Sequence, residues 1–244
     1  MEKPEKMIIK GKRLDGRTLD QLRPLKIEAG VLNNAEGSCY IEMGKTKVIA
    51  GLYGPREFHP KHKQDPTQCV LRCRYRMAAF STDDRIRPGP NRRSTEISMV
   101  IADAIKPALF LDEWPKTAID VTIEVLHEYA STRIAGLNAA AVALADAGVP
   151  MRDLVSSIAV GKVEGELILD VAGEEDCFGE TDFPVAMMPR TKEITLMQLD
   201  GHFTEEEYKQ AMKMAGKGIE TVYAAQKDAL KKRYSNEQII EKAD

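Results

Sequence analysis

Apolar and polar residues alternate most cleanly along residues 68–77, where Cys69, Leu71, Cys73, Tyr75 and Met77 share one face and Arg72, Arg74 and Arg76 the other. A period of two is that of a half-buried strand. The same alternation marks Ile119, Val121, Ile123 and Val125, just after Trp114-Pro115. Upstream, residues 24–31, 38–43 and 47–52 are short apolar segments parted by Asn33-Asn34, Gly37 and Gly44, which predicts a meander of strands. Downstream, residues 155–163 and 167–171 flank Glu164-Gly165 as a hairpin, and residues 184–188 and 193–199 predict two more strands.

Elsewhere the period lengthens to that of a helix. Ile97, Val100, Ile101, Ala104, Ile105 and Ala108 form an apolar stripe that opens near Arg92, after a loop over residues 87–91 with two prolines and a glycine. A second helix is expected over residues 132–147, closed by Gly148 and Pro150. Its alanines, Ala135, Ala139, Ala140, Ala141 and Ala145, are small enough to let it lie close to a sheet, so it is expected to be central and buried. A third begins at Thr204, with Glu207 completing a capping box, and carries Tyr208, Met212, Ala215, Ile219, Val222, Ala225 and Ala229 on one side. The polar tail from Ser235 is expected to fray.

Strands followed by a helix thus occur twice. This is an α+β pattern rather than strict strand–helix alternation, and it predicts two similar lobes, residues 1–150 and 151–244. A chain of 244 residues is long enough for two such lobes to share a core.

Composition narrows the functional classes. The net charge is −3, so nucleic-acid binding must rest on local basic patches rather than on bulk charge. The N-terminus is charged and has no secretory-type apolar core, and no apolar run is long enough for a membrane span, so a soluble cytoplasmic protein with no membrane partner is expected. The four cysteines are too sparse for a disulfide scaffold, and Cys69 and Cys73, on the apolar face of one strand, read as buried thiols rather than half of a zinc site.

Three features carry possible chemistry. The first is a pair of helix starts, Asn91-Arg92-Arg93-Ser94 and Ser131-Thr132-Arg133. Arginine in a first turn opposes the helix dipole, so two such starts suggest an anionic ligand; solvated surface arginines are the plain alternative. The second is the acidic run Glu174, Glu175, Asp176, Glu180 and Asp182, all within nine residues. It suits a hard cation or a general acid, and equally a solvated loop, although Phe183-Pro184 places Asp182 at the mouth of a strand. The third is the polar loop over residues 55–66, with Arg56, His59, Lys61, His62 and Lys63. Glycine-rich phosphate loops, a nucleophile elbow and histidine–acid zinc spacing are lacking from the sequence.

Several of these segments, taken in order, resemble the RNase PH family. They are Arg13-Leu14-Asp15-Gly16-Arg17, Gly51-Leu52-Tyr53-Gly54-Pro55, Arg72 to Met77, Phe80-Ser81, Arg92-Arg93, Ala139 to Met151 and Glu175 to Pro189. Within that family the chain is most similar to the catalytic RNase PH-like subunit of the archaeal exosome. The resemblance implies a fold of two related βαβ-type lobes with mixed sheets and packed helices. It implies phosphate-dependent 3′-to-5′ exoribonuclease chemistry that releases nucleoside diphosphates and runs in reverse to add 3′ tails. Inorganic phosphate is then a co-substrate and magnesium or manganese the cofactor.

Residue by residue, the resemblance gives Asp182 the role of catalytic acid, with Asp176 as its companion and both as metal ligands. Ser131, Thr132 and Arg133 become the phosphate site, Arg92 and Arg93 hold the RNA 3′ end, and Lys61 and Lys63 meet RNA at a pore entrance. Ser131 stands where the family often has glycine. The implied partners are RNA 3′ ends, a homologous non-catalytic subunit in a hexameric ring built as a trimer of heterodimers, and RNA-binding cap subunits. The alternatives are a stand-alone homohexameric RNase PH that trims tRNA 3′ ends, and a non-catalytic RNA-binding ring subunit.

Overall fold

Among the described residues, eleven strands and four α-helices follow one another in the order the hydrophobic periods suggest, with additions at the N-terminus and in the acidic segment. The computed structural model describes residue 4 and residues 6–235; the expected fraying beyond Ser235 lies outside the described residues. A short hairpin, β1 (Ile8–Ile9) and β2 (Lys12–Arg13), precedes the first sheet. That sheet contains β3 (Leu25–Ala29), β4 (Gly37–Met43), β5 (Thr46–Glu57), β6 (Val70–Met77) and β7 (Thr117–His127), in the spatial order β3-β4-β5-β7-β6. It is mixed: β6 and β7 run parallel, joined through α1 (Arg92–Ile105) as a βαβ unit, and the other pairs are antiparallel.

The second sheet comprises β8 (Ser156–Val163), β9 (Glu166–Leu169), β10 (Thr181–Met188) and β11 (Glu193–Met197), ordered β11-β10-β8-β9 and antiparallel throughout. Two more helices complete this half, the five-residue α3 (Glu174–Phe178) and the long α4 (Glu205–Tyr234). Thr204 caps α4, and the reciprocal bond from the Thr204 N–H to Glu207 completes the capping box.

Helix α2 (Thr132–Asp146) is the centre of the molecule, packed against β4 and β5 on one side and β8 on the other. Buried residues run continuously from Ile134 to Leu144, as its alanine content predicts. The approach is close enough that a Cβ on Gly37 of β4 would meet the Ala143 carbonyl oxygen at 2.2 Å. A glycine is therefore required where helix and sheet touch. One hydrophobic cluster runs through both halves, from Ile41 and Val48 through Leu137 and Ala141 to Val160, Phe183 and Ile219. The buried amide of Gln226 joins α4 to this core by bonding the Ser156 hydroxyl and the Asn138 carbonyl.

Two segments differ from the sequence expectation. Strand β5 does not stop at Leu52 but continues to Glu57, which shortens the polar loop expected over residues 55–66. Gly54-Pro55 interrupts the pairing with β7 without ending it: the register shifts between Tyr53 and Arg56, and pairing resumes at Arg56 and Glu57. Gly54 has φ of 112°, and a Cβ there would meet the Ala118 carbonyl at 2.4 Å, so a bulge with glycine carries the strand through. The acidic segment is likewise not all loop. Its first part is α3, with Glu175 buried, and Thr181 already begins β10.

Candidate active site

Three chain segments converge on a cleft of about 280 Å³: the start of α1, the start of α2, and the β10–β11 region beside α3. Arg93, Ser131, Thr132, Arg133, Asp176 and Asp182 all line it, together with Gln198 and Asp200. Residues separated by up to 107 positions, Arg93 to Asp200, thus share one cavity. Arg92 is exposed on the first turn of α1 and is not among the lining residues. Lys61 and Lys63 lie on an exposed single 3-10 turn beyond β5, also outside the cleft, with Lys61 facing Glu57 at 3.4 Å.

The start of α2 leaves backbone donors open at the cleft. No side chain caps it, so its first N–H groups lack an intrahelical or side-chain acceptor. Ser131, at the N-cap, has φ of 53°, a left-handed conformation that favours glycine. This accounts for the glycine that the resemblance leads one to expect there. Serine is held in that conformation by its hydroxyl, which donates to the Val171 carbonyl at 2.8 Å. The hydroxyl is thus engaged away from the helix axis, and the backbone donors stay open. Thr132 is buried, and its Oγ1 accepts from the Tyr75 hydroxyl at 2.8 Å. The Arg133 guanidinium adds a full positive charge at the same end.

The opposite wall is acidic. Asp182 is the second residue of β10 and pairs its backbone with Asp200, N–H to carbonyl at 2.8 Å and 2.9 Å. Burial raises the Asp182 carboxyl from 3.8 to about 6, the neighbouring charge of Asp176 and then that of Asp200 add to this, and Arg133 opposes it. Asp176 has much of its own surface open, yet the cleft walls desolvate its carboxyl and raise it; Arg93 opposes the rise and Glu128 reinforces it. The rest of the acidic run does other work. Glu175 is buried against Arg13, Glu174 faces the Tyr129 hydroxyl, and Glu180 accepts from the Gly165 N–H.

Sequence patterns missed the support behind this wall. Arg13 donates from Nε to Glu175 at 2.7 Å and from its terminal nitrogens to the carbonyls of Leu169 and Asp170 at 2.5 Å and 2.8 Å. Arg23 meets the Asp170 carboxylate at 2.7 Å, and Arg17 bonds both Asp15 and Asp170. Arg13 and Arg17 of the Arg13-Leu14-Asp15-Gly16-Arg17 signature are therefore a buried clamp on α3, the helix that carries Asp176. The family resemblance marked this segment, but nothing local gives its role, because its partners lie about 150 residues away. The thiols sit as the strand pattern implies: Cys69 is buried and Cys73 half-buried, and burial raises Cys69 and pushes Cys73 up to about 12.

Comparison with known proteins gives the family and the fold. Residues 21–150 match domain 1 of the 3′ exoribonuclease family, RNase PH, and residues 153–218 match domain 2. The chain is 56% identical over 237 residues to the exosome complex component Rrp41 of Pyrococcus abyssi, covering 96% of this chain and 95% of that protein. It is 55% identical to the Rrp41 component of Methanopyrus kandleri, over 97% of this chain and 99% of that one. Among solved structures, rice Rrp46 superposes with a TM-score of 0.81 at 24% identity, covering 90% of this chain and 100% of that one. The Archaeoglobus fulgidus exosome with RNA bound to the active site superposes with a TM-score of 0.75 at 23% identity, over 86% of this chain and 91% of that one. Spanning both domain types in order and matching full-length relatives at more than half their positions, the chain belongs to the RNase PH-type 3′ exoribonuclease family.

Proposed function

We propose that this chain is the catalytic subunit of an archaeal exosome, shortening RNA from its 3′ end with inorganic phosphate and releasing nucleoside diphosphates. The observation that carries the reading is the single cleft in which an uncapped helix start and Arg93 and Arg133 face the carboxyls of Asp176 and Asp182. Full-length similarity to exosome components supplies the assembly.

In this mechanism the α2 N–H groups, Thr132 and Arg133 bind and orient inorganic phosphate. Arg93, with Arg92 beside it, draws the RNA 3′-terminal phosphodiester into line. A phosphate oxygen attacks phosphorus, the bond from phosphorus to the upstream 3′ oxygen breaks, and Asp182 gives its proton to that leaving oxygen. The products are a nucleoside diphosphate and an RNA one nucleotide shorter with a free 3′ hydroxyl. A carboxyl held near 6 by burial and by Asp176 retains enough proton near neutral pH to act as an acid. The reverse reaction adds nucleotides from diphosphates.

Asp176, and Asp182 once it has given up its proton, would hold magnesium or manganese: both line the cleft, and carboxylates suit a hard cation that keeps waters and shares substrate phosphates. When bound, such an ion neutralises phosphate charge in the cleft. No helix among the described residues is long and apolar enough to cross a membrane; a cytoplasmic complex accords with this reading.

The defining experiment follows an RNA labelled in its internal phosphates, with and without inorganic phosphate, and separates the released nucleotides. Degradation should require phosphate and release diphosphates; nucleoside monophosphates released without phosphate would overturn the reading. The ring of alternating catalytic and non-catalytic subunits adds an expectation. The purified chain should be poorly active alone and active once mixed with a homologous sister that lacks the acid, while full activity alone would favour a stand-alone homohexamer.

Lys61 and Lys63 are proposed to touch the RNA backbone upstream of the cleft, consistent with their exposed turn outside it. Replacing both with alanine should weaken long-RNA binding and flatten its log–log salt dependence by roughly one to two. Turnover of RNA too short to reach the turn should be unchanged. Equal impairment of short and long RNA would place the turn at the active site instead.

A further inference from the structure

One side chain at the phosphate end of the cleft is held from two directions. Arg133 leaves the first turn of α2, and its Nη2 donates to Glu96 Oε2 on α1 at 2.9 Å, while its Nη1 donates to Gln198 Oε1 just past the end of β11. A single guanidinium therefore bridges three elements at the point where they meet the cavity. Both Arg133 and Gln198 line the cleft.

Stability does not explain the Glu96 contact. The side chains are 27% and 39% exposed for Arg133 and Glu96, a setting in which an ion pair contributes little to folding. Net charge does not explain it either, since a carboxylate beside a phosphate site repels the ligand. What the contact supplies is orientation. Arginine is long and its planar fork recognises an oxyanion only when its plane is set. Gripping one terminal nitrogen from α1 and the other from beyond β11 sets that plane and leaves the remaining donors for an anion.

We propose that Glu96, together with Gln198, is a positioning residue that fixes the Arg133 guanidinium for inorganic phosphate. This rests on the phosphorolytic reading of the cleft. Glu96 touches neither RNA nor the reacting atoms; it acts through Arg133. The role belongs to its hydrogen bond rather than its charge, so glutamine should perform it and alanine should not.

The test is steady-state phosphorolysis by the chain in its active assembly, with phosphate and RNA varied separately for wild type, Glu96→Ala and Glu96→Gln. Glu96→Ala should raise the KM for phosphate by about tenfold, as loss of an orienting partner does for a metal ligand, with a much smaller change in kcat and in the KM for RNA. Glu96→Gln should stay near wild type or bind phosphate more tightly, because the acceptor remains and the repelling charge is gone. Thermal unfolding of each variant reports any loss of structure. The clamp is overturned if Glu96→Ala leaves the phosphate KM unchanged, if it impairs RNA and phosphate equally, or if glutamine is as damaging as alanine. Phosphate-independent turnover by the wild type would instead overturn the phosphorolytic reading itself.

Discussion

Asp182→Asn is expected to lower phosphorolysis by on the order of 10²–10⁴-fold, the contribution of a well-placed proton donor, while RNA binding and assembly persist. Asparagine matches aspartate in shape but has no acidic proton to give the leaving 3′ oxygen. The side chain lies at the second position of β10, where the strand's backbone pairs with β8 and with Asp200, so the substitution leaves the framework in place. Stability should move the other way from activity. The carboxyl is raised from 3.8 to about 6 on folding, so between those pH values the native state holds more protons than the unfolded chain. Stability from this group is therefore lost as pH rises through that window. The variant lacks this loss, so its melting temperature near neutral pH should equal or exceed that of wild type. Wild-type phosphorolysis by the variant would remove Asp182 from the mechanism; a collapsed melting temperature would show that its role is structural.

The sequence made the framework legible wherever one face of an element is buried. The period of two in β6 and the alanine-rich period of α2 are direct consequences of packing on one side or on all sides, and both elements appear where those patterns place them. The two arginine-bearing helix starts were legible for a different reason, their conflict with the helix dipole, and one member of the first pair and all of the second reach the cleft. Helix α3 was hidden because five acidic and apolar residues are too few to show a helical period. Glu96, Gln198 and Asp200 were hidden because nothing local distinguishes them from surface polar residues; only the meeting of α1, α2 and β11 gives them a role. The acidic run could not be partitioned from sequence, since Glu175 and Asp176 are neighbours in the chain yet one is buried on an arginine and the other opens to the cleft.

The same partition gives Asp170→Asn a large expected effect on stability. Asp170 is 1% exposed and stands between Arg17 and Arg23, with its carboxylate accepting from the Arg23 side chain at 2.7 Å and 3.0 Å and from the Arg23 backbone at 2.7 Å. Its own carbonyl accepts from Arg13 and Arg17. Asparagine suits the left-handed backbone, φ of 60° at this position, so the substitution isolates the charge from backbone strain. It leaves three nearly buried guanidiniums with Glu175 and the half-exposed Asp15 as counter-charges, and it turns amide hydrogens toward arginine donors. Breaking a buried pair from one side costs about 3–5 kcal/mol. For a chain of this size that is a fall in melting temperature of roughly 6–20 °C, readable by calorimetry. Activity should also fall in samples still folded, because the clamp seats α3 and α3 carries Asp176. The loss should appear in kcat, and Arg13→Lys, which cannot reproduce the forked contact with Glu175, should show the same coupling of lower stability to lower kcat. A melting temperature within a degree or two of wild type for Asp170→Asn would mean that the clamp adds little to the fold, and an unchanged kcat in folded protein would separate the clamp from the acidic wall of the cleft.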